Sequence, residues 1–171
     1  NPGGELGQGA TVKSQVVPLP GWTTTSNFTA LRYDATGALT VEEAQQIGGG
    51  ANHFYGGDVN ASSTATQLVN VADEATGIDA GQRTAQFQAY LGGFGGDNAG
   101  IRAEFLNAGG TVLGTALVLG PRSDEMQLLS TTGPVPTGTR AIRVTMTATR
   151  VAGDDNEGYF ENLSLVLTQS G

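Results

Sequence analysis

Residues 158–167 have the sequence GYFENLSLVL, and this stretch decides the fold class. Leu163, Leu165 and Leu167 alternate with smaller or more polar residues, which is the period of two expected for a strand with one face in a core. An acidic turn, GDDNEG at residues 153–158, comes just before it, and Glu161 lies near the start of the strand. The pattern predicts a β-sandwich that ends on this strand, with a cation site near the chain termini.

The same alternation recurs along the chain. In residues 83–91, Ala85, Phe87, Ala89 and Leu91 share one face, and residues 101–105 and 141–150 behave alike. Turn sequences such as NAGG at 107–110 separate these runs, and 27 of the 171 residues are glycine. Roughly nine short strands joined by turns indicate an all-β, antiparallel β-sandwich, and we expect residues 1–171 to form a single domain.

Helix is expected at one place only, residues 40–47. Thr40 and Glu43 have the spacing of a capping box, and glycines at 48–50 would end the helix. Residues 73–77 are expected to form a turn. Residues 10–17 are compatible with either a first strand or an irregular lead-in.

Composition excludes several classes of function. The chain has 16 acidic and 8 basic residues, a net charge of -8, and Lys13 as its only lysine. No basic patch for nucleic acid can be assembled, and an anionic membrane surface is disfavoured for the same reason. The chain has no cysteine, so it has neither disulfides nor thiolate metal sites, and its apolar runs fall far short of the ~20 residues of a transmembrane helix.

Six segments carry a family resemblance: NPGGE at 1–5, PGW at 20–22, AYLGG at 89–93, AEFLNAGG at 103–110, PVPTGTR at 134–140 and GYFENLSL at 158–165. Together they resemble galactose-binding-like jelly-roll domains, and in particular the non-catalytic carbohydrate-binding modules of extracellular bacterial proteins. Two positions depart from the family pattern. Gly4 stands where the family usually has Phe, and Glu161 stands where it usually has Asp.

The resemblance implies a jelly-roll fold, a secreted or cell-surface location, and membership of a larger multidomain protein. It also implies a structural Ca²⁺ ion held by a Glu of the opening segment and an acid of the last strand, which are Glu5 and Glu161 here. Glu is a competent Ca²⁺ ligand, although it is one methylene longer than Asp. A second acidic group, Asp97, Asp154 and Asp155, leaves open a second cation site, but a solvated turn is the simpler interpretation.

The first candidate for ligand binding is a polar sheet face. If three of the strands are adjacent in one sheet, their outward side chains combine amide and charged groups with one aromatic ring, which suits sugar hydroxyls and CH faces. The predicted ligand-binding residues are Gln86, Gln88, Tyr90, Arg102, Glu104 and Arg143. An ordinary solvated sheet face would show the same alternation.

Loop aromatics give the alternative site. Tyr55, Phe94 and Tyr159 would place it at the edge of the sandwich, whereas Trp22 is expected to pack in the core. Catalysis is not expected, because His53 is the only histidine and no nucleophile, paired-histidine or phosphate-loop motif occurs.

The sequence therefore predicts a non-catalytic module that targets a parent extracellular protein to a glycan. The rival interpretation is a structural or adhesive β-sandwich that makes protein contacts or acts as a spacer in a cell-surface protein. The glycan partner is expected to be neutral or weakly charged, because the chain is acidic.

Overall fold

The computed structural model describes residues 1–170, which form two five-stranded antiparallel sheets. The strands of these residues are β1 (Thr23–Thr24), β2 (Thr29–Arg32), β3 (Asn52–Gly57), β4 (Ser62–Asn70), β5 (Arg83–Gly93), β6 (Asn98–Leu106), β7 (Val112–Arg122), β8 (Gln127–Pro134), β9 (Ala141–Thr149) and β10 (Asn156–Gln169). The first sheet has the order β1-β4-β9-β6-β7 and the second has the order β2-β3-β10-β5-β8. This is the predicted β-sandwich with a jelly-roll fold.

The last strand has one face toward the core, as its alternating leucines predict, and it lies at the centre of the second sheet. β10 pairs with β3 on one side and β5 on the other, with Leu165 opposite Phe87 and Leu167 opposite Ala85. The inward side chains of both sheets meet in one core that includes Phe54, Phe105 and Met146, all fully buried. Each buried side chain of this size contributes roughly 1.5–3 kcal/mol relative to exposure, so burial of the inward side chains supplies the main stabilisation.

A β-bulge interrupts the last strand where the sequence predicts unbroken alternation. Glu161 lies opposite Tyr90 and Ser164 opposite Gln88, so β10 has one residue more than β5 between these pairs. The extra residue is Asn162, whose φ of 49° is left-handed, a conformation that Asn tolerates better than most residues. Its side-chain amide donates to the carbonyl oxygens of Ile47 and Gly48, so the bulge is also tied to the end of a helix.

That helix is α1 (Val41–Ile47), and it confirms the predicted capping box. The Thr40 hydroxyl accepts from the Glu43 backbone N–H, the Glu43 carboxylate accepts from the Thr40 N–H, and Gly48 ends the helix in the left-handed conformation. The expectation of no other helix was wrong. A 3₁₀ turn (Ala72–Glu74) leads into a second short helix, α2 (Ala75–Asp79), where a turn was expected. Backbone bonds such as Ala80 N–H to Thr76 O continue the turn into a helix.

The N-terminal segment is an irregular lead-in, the second of the two interpretations left open by the sequence. Apart from one bridge between Ala10 and Leu31, residues 10–17 form no strand. Together with residues 33–39, the segment covers part of the outer face of the second sheet. A second cluster of buried side chains lies under this cover: Ala10, Leu31, Ala35, Tyr55 and Tyr159. No helix within residues 1–170 is long and apolar enough to cross a bilayer.

Candidate functional site

The predicted sheet face does not exist as one surface. β5, which carries Gln86, Gln88 and Tyr90, belongs to the second sheet, whereas β6 and β9 belong to the first sheet. The two outward series therefore lie on opposite faces of the sandwich. β6 and β9 are neighbours, but β5 is not adjacent to either, so the condition on which the three-strand face was predicted fails. Alternation fixes which side chains face inward but not which strand pairs with which.

The charged members of that predicted face are already paired with each other. Arg143 donates from two guanidinium nitrogens to Glu104 Oε1, both at 3.1 Å, across the β6–β9 pair. Arg102 lies 3.8 Å from the same carboxylate and is exposed. On the other side of the sandwich, Gln86 and Gln88 are exposed and Tyr90 is half-buried. Each series is thus compatible with an ordinary solvated sheet face.

The two predicted metal ligands do come together. Glu161 is fully buried, and its Oε2 accepts from the Tyr33 hydroxyl at 2.6 Å while its Oε1 accepts from the Asn162 N–H at 2.9 Å. The Glu5 carboxylate accepts from the backbone N–H groups of Ala51 and Asn52, both at 3.0 Å. We call this pair of residues, Glu5 and Glu161, the terminal carboxylate pair.

Glycines allow the backbone to approach the terminal carboxylate pair closely. A Cβ at Gly3 would lie 2.5 Å from Glu161 Oε1, and a Cβ at Gly50 would lie 2.5 Å from Glu5 Oε1. A Cβ at Gly49 would lie 3.1 Å from Glu161 Oε2. The glycines at these three positions therefore leave room for the two carboxylates.

The electrostatics of the pair favour a cation. Burial, the largest influence, and the nearby negative charge of Glu5 together raise the pKa of Glu161 to about 7, although the hydrogen bonds from Tyr33 and from the Asn162 N–H lower it. No lysine or arginine within residues 1–170 forms an ion pair with either carboxylate. A buried carboxylate beside a second one, with no cationic partner, fits a hard oxygen-preferring ion such as Ca²⁺. Among the described residues no group of three or more metal-ligating side chains gathers, so backbone carbonyls and water would complete the coordination.

The second acidic group does not form a site. Asp97 is fully buried and accepts from the backbone N–H groups of Val151, Ala152 and Glu157, at 2.6, 3.0 and 2.9 Å. Asp155 pairs with Lys13 at 3.3 Å. Asp97 is therefore a structural anchor between two loops, Asp155 belongs to an ion pair, and Asp154 is exposed on a solvated turn.

A cleft of about 680 Å³ opens at the edge of the sandwich, and we call it the edge cleft. Its walls come from the segment before α1, the β5–β6 loop, the β7–β8 loop and the start of β10. The lining residues are Lys13, Gly37, Ala38, Leu39, Glu43, Gly93, Phe94, Gly95, Gly96, Ser123, Asp124, Glu125, Met126, Glu157 and Tyr159. Most of these residues lie outside the pattern of alternation, which is why sequence analysis found only Phe94 and Tyr159.

Phe94 is the exposed aromatic of the edge cleft, with 66% of its surface accessible. Its loop is held in place, since the Phe94 N–H donates to Glu157 O at 3.2 Å and the Gly93 N–H donates to Asp124 O at 2.9 Å. The other two predicted edge aromatics are not accessible to the same degree. Tyr159 lines the wall but is 4% exposed, and Tyr55 is fully buried behind it, with the two rings stacked at 6.0 Å.

Lys13 closes one side of the edge cleft. Its ammonium group pairs with Asp155 and with Glu157, and lies 5.9 Å from the centre of the Tyr55 ring. These partners raise the pKa of Lys13 even though burial, the largest single influence, lowers it. The only lysine of the chain is therefore committed to a structural contact and presents little free positive charge to the cleft.

His53 and Trp22 are packing residues. His53 is fully buried between the rings of Tyr33 and Tyr159, at 4.6 and 5.5 Å, and neither ring nitrogen has a hydrogen-bond partner. Burial lowers its pKa to about 3, so the imidazole is neutral. Trp22 packs against the core, contacts Phe54 edge-on at 5.7 Å, and donates its indole N–H to Asn1 O.

Comparison with solved structures agrees with the fold. The chain superposes on the enzymatically active domain of tailspike protein 4 of bacteriophage CBA120 with a TM-score of 0.60 and 14% identity, covering 87% of this chain but 20% of that one. It superposes on TmCBM61, solved with β-1,4-galactotriose, with a TM-score of 0.55 and 11% identity, covering 88% and 90% of the two chains. A cyclase from Fischerella sp. TAU gives 0.52 at 13% identity, covering 92% and 89%.

These likenesses define the class of fold. The chain has a jelly-roll fold similar to that of the carbohydrate-binding module TmCBM61, the Fischerella cyclase and part of the much longer tailspike domain. No protein-family model matches the sequence, and no curated protein matches it significantly. At such identities the shared property is the fold, and function has to be argued from the site.

Proposed function

We propose that this chain is a non-catalytic carbohydrate-binding module whose glycan site is the edge cleft. The observation that carries the proposal is the exposed Phe94 ring on the rim of a preformed cleft. An aromatic ring supplies contact area for the CH face of a sugar, and polar groups around it, such as Ser123 and Asp124, accept from or donate to hydroxyls. TmCBM61, which has a similar fold, was solved in complex with β-1,4-galactotriose, and this supports an oligosaccharide as the class of ligand.

The edge cleft is a better candidate than either outer sheet face. It combines concavity, an exposed ring and several polar groups in one place, whereas Tyr90 and Arg102 lie on opposite sides of the sandwich. In addition, the backbone hydrogen bonds at Gly93 and Phe94 pre-organise the aromatic loop. Pre-organisation lowers the entropic cost of binding, so even an open cleft can hold a sugar usefully.

In this proposal a structural Ca²⁺ ion binds the terminal carboxylate pair. Glu5 and Glu161 would supply carboxylate oxygens, and the ion would tie the N-terminal segment to the last strand. Its contribution is to stability and to the position of the N-terminal segment that carries Lys13. The ion takes no part in any reaction.

The biological role would be targeting. A module of this kind holds a parent extracellular protein close to a glycan and so raises its local concentration there. In this proposal the parent protein acts outside the cell. We assign no reaction to this chain, because the described residues offer an aromatic cleft and no nucleophile–base pair.

The test is a titration of oligosaccharides against the native chain and the variant Phe94→Ala. We expect Phe94→Ala to weaken binding at least tenfold, about 1.4 kcal/mol, as for other aromatic anchors. Leu68→Ala is the matched control, because Leu68 has a similar exposure, 63%, and lies on β4 away from the cleft. Tyr90→Ala tests the sheet face of the second sheet.

Two outcomes would contradict the assignment. If a bound sugar is lost in Tyr90→Ala and kept in Phe94→Ala, the site is the sheet face. If no glycan binds in a broad screen with and without Ca²⁺, the chain is a spacer or adhesive domain.

A further inference from the structure

The edge cleft is lined by more acidic than basic residues. Four of its lining residues are acidic, Glu43, Asp124, Glu125 and Glu157, and Lys13 is the only basic one. Lys13 is bound to Asp155 and Glu157, so it offsets charge that these two residues carry. A ligand in the cleft therefore meets an excess of carboxylates.

Asp124 and Glu125 are the most available of these carboxylates. Both residues are exposed, and within residues 1–170 neither side chain has an ion pair or a hydrogen-bond partner. Arg122 is close to both residues in the sequence, but it does not neutralise their carboxylates. Its guanidinium group donates to the backbone carbonyl oxygen of Glu125 at 2.8 Å, and it does not line the cleft. Glu43 differs, because its carboxylate caps the first turn of α1.

The acidic loop and the aromatic ring are held together by the fold. The Gly93 N–H donates to Asp124 O at 2.9 Å, so the residue before Phe94 is bonded directly to the loop that carries the free carboxylates. Phe94, Asp124 and Glu125 line the same cleft, so a sugar stacked on the ring shares that cleft with the free carboxylates. The ring and the cleft define the site, and the carboxylates decide which sugars it prefers.

We propose that the edge cleft selects amino sugars, that is, glycans that carry a protonated amine, and rejects uronic acids. This inference rests on the proposed function and adds the charge class of the ligand. The ring stacks on the CH face of the sugar, and the ammonium group pairs with Asp124 or Glu125. An exposed pair of this kind is worth at most about fivefold in affinity at low salt, and two carboxylates acting on one charge bring the preference to roughly tenfold.

The experiment compares two ligands that share a sugar backbone, and it adds a third ligand of opposite charge. A β-1,4-linked glucosamine trimer and its fully N-acetylated counterpart differ in the charged amine, and a galacturonic acid trimer carries the opposite charge. The titrations are run at about pH 5.5, where the sugar amines are protonated. We expect the glucosamine trimer to bind about tenfold more tightly than the acetylated trimer, and the galacturonic acid trimer to bind most weakly. Raising the salt to about 1 M should remove most of the difference, because the screening length then falls to about 3 Å.

Variants separate the cleft from the net charge of the protein. The double variant Asp124→Asn/Glu125→Gln should bind the two glucosamine-based trimers equally, and it should still bind through Phe94. The control Asp73→Asn/Glu42→Gln removes the same number of exposed charges elsewhere and should keep the preference.

Equal binding of the charged and acetylated trimers by the native chain would overturn this inference and leave the proposed function in place. A preference that persists in the double variant would overturn it too, since the attraction would then come from the protein as a whole. Loss of every sugar in the native chain would instead overturn the proposed function.

Discussion

The hydroxyl of Tyr33 donates a hydrogen bond of 2.6 Å to Oε2 of Glu161, and both residues are buried. This bond joins the segment after β2 to the last strand, at the place where Glu5 approaches from the N-terminal segment. Burial and the negative charge of Glu161 raise the pKa of Tyr33, so the tyrosine stays protonated and remains a donor. Glu161 is thus held in position whether or not an ion binds.

Removal of calcium should destabilise the protein. We expect the melting temperature to rise on adding Ca²⁺ and to fall with chelator, because an ion that binds only the folded state stabilises it by about 2.7 kcal/mol at a hundredfold excess over its Kd. Thermal unfolding of the native chain and of Glu161→Gln checks this. Asp73→Asn is the control, since Asp73 is exposed and far along the chain from the pair. A native chain that ignores both Ca²⁺ and chelator would remove the metal from the proposal.

Glu161 should also make the metal-free protein sensitive to pH. Its pKa is about 7 in the folded state against an ordinary value of 4.5, so the folded state binds the proton more tightly than the unfolded state. The resulting stability is fully present below pH 4.5 and is lost as the pH rises through 7, by on the order of 3 kcal/mol.

Denaturant unfolding in chelator at several pH values measures this effect. Glu161→Gln should lack the loss that the native chain shows between pH 4.5 and 7. Parallel profiles for the two proteins would mean that Glu161 does not titrate in this range. With Ca²⁺ present, the gain from the ion should grow as the pH rises, because the ion needs the deprotonated carboxylate.

His53 should have the opposite pH dependence. Burial lowers its pKa from 6.5 to about 3, so the unfolded state takes up a proton that the folded state refuses. The free energy of unfolding therefore has its full value above pH 6.5, where His53 is neutral in both states. It decreases as the pH falls toward 3, because only the unfolded state gains the proton. We expect His53→Phe, which keeps a ring between Tyr33 and Tyr159, to lose less stability on acidification than the native chain. A steeper acid loss in the variant would contradict the buried neutral state.

A methyl group at Gly50 should displace the Glu5 carboxylate. A Cβ there would lie 2.5 Å from Glu5 Oε1, so Gly50→Ala must push the carboxylate away from the N–H groups of Ala51 and Asn52. We expect a loss of about 1 kcal/mol in the free energy of unfolding, because the displaced group is the end of an exposed side chain and loses its two hydrogen bonds, together with weaker stabilisation by Ca²⁺. Gly100→Ala is the control, because a Cβ there meets its nearest neighbour at an ordinary 3.7 Å. Equal effects of the two substitutions would argue against the tight fit.

Local interactions were readable from the sequence. Alternation at Ala85, Phe87 and Ala89 predicted an inward face, and the spacing of Thr40 and Glu43 predicted the start of α1, because both patterns depend on residues close in the chain. The approach of Glu5 to Glu161 came from resemblance to a family and not from spacing. Local spacing carries no information about contact between two residues that are 156 positions apart in the chain (161 − 5).

Tertiary structure alone decided which strands are neighbours and where a ligand could fit. A strand with one apolar face can enter either sheet of a sandwich, since both sheets bury the same kind of side chain, and this put Tyr90 and Arg102 on opposite faces. The bulge at Asn162 and the edge cleft depend on contacts between segments far apart in the chain, such as Asn162 with Gly48 and Phe94 with Glu157. The sequence by itself determined the strands, their inward faces and the acidic character of the surface, because these follow from side-chain chemistry and local period. The pairing of strands and the shape of the cleft follow from the packing of the whole chain, because both depend on contacts between segments that are far apart in the sequence.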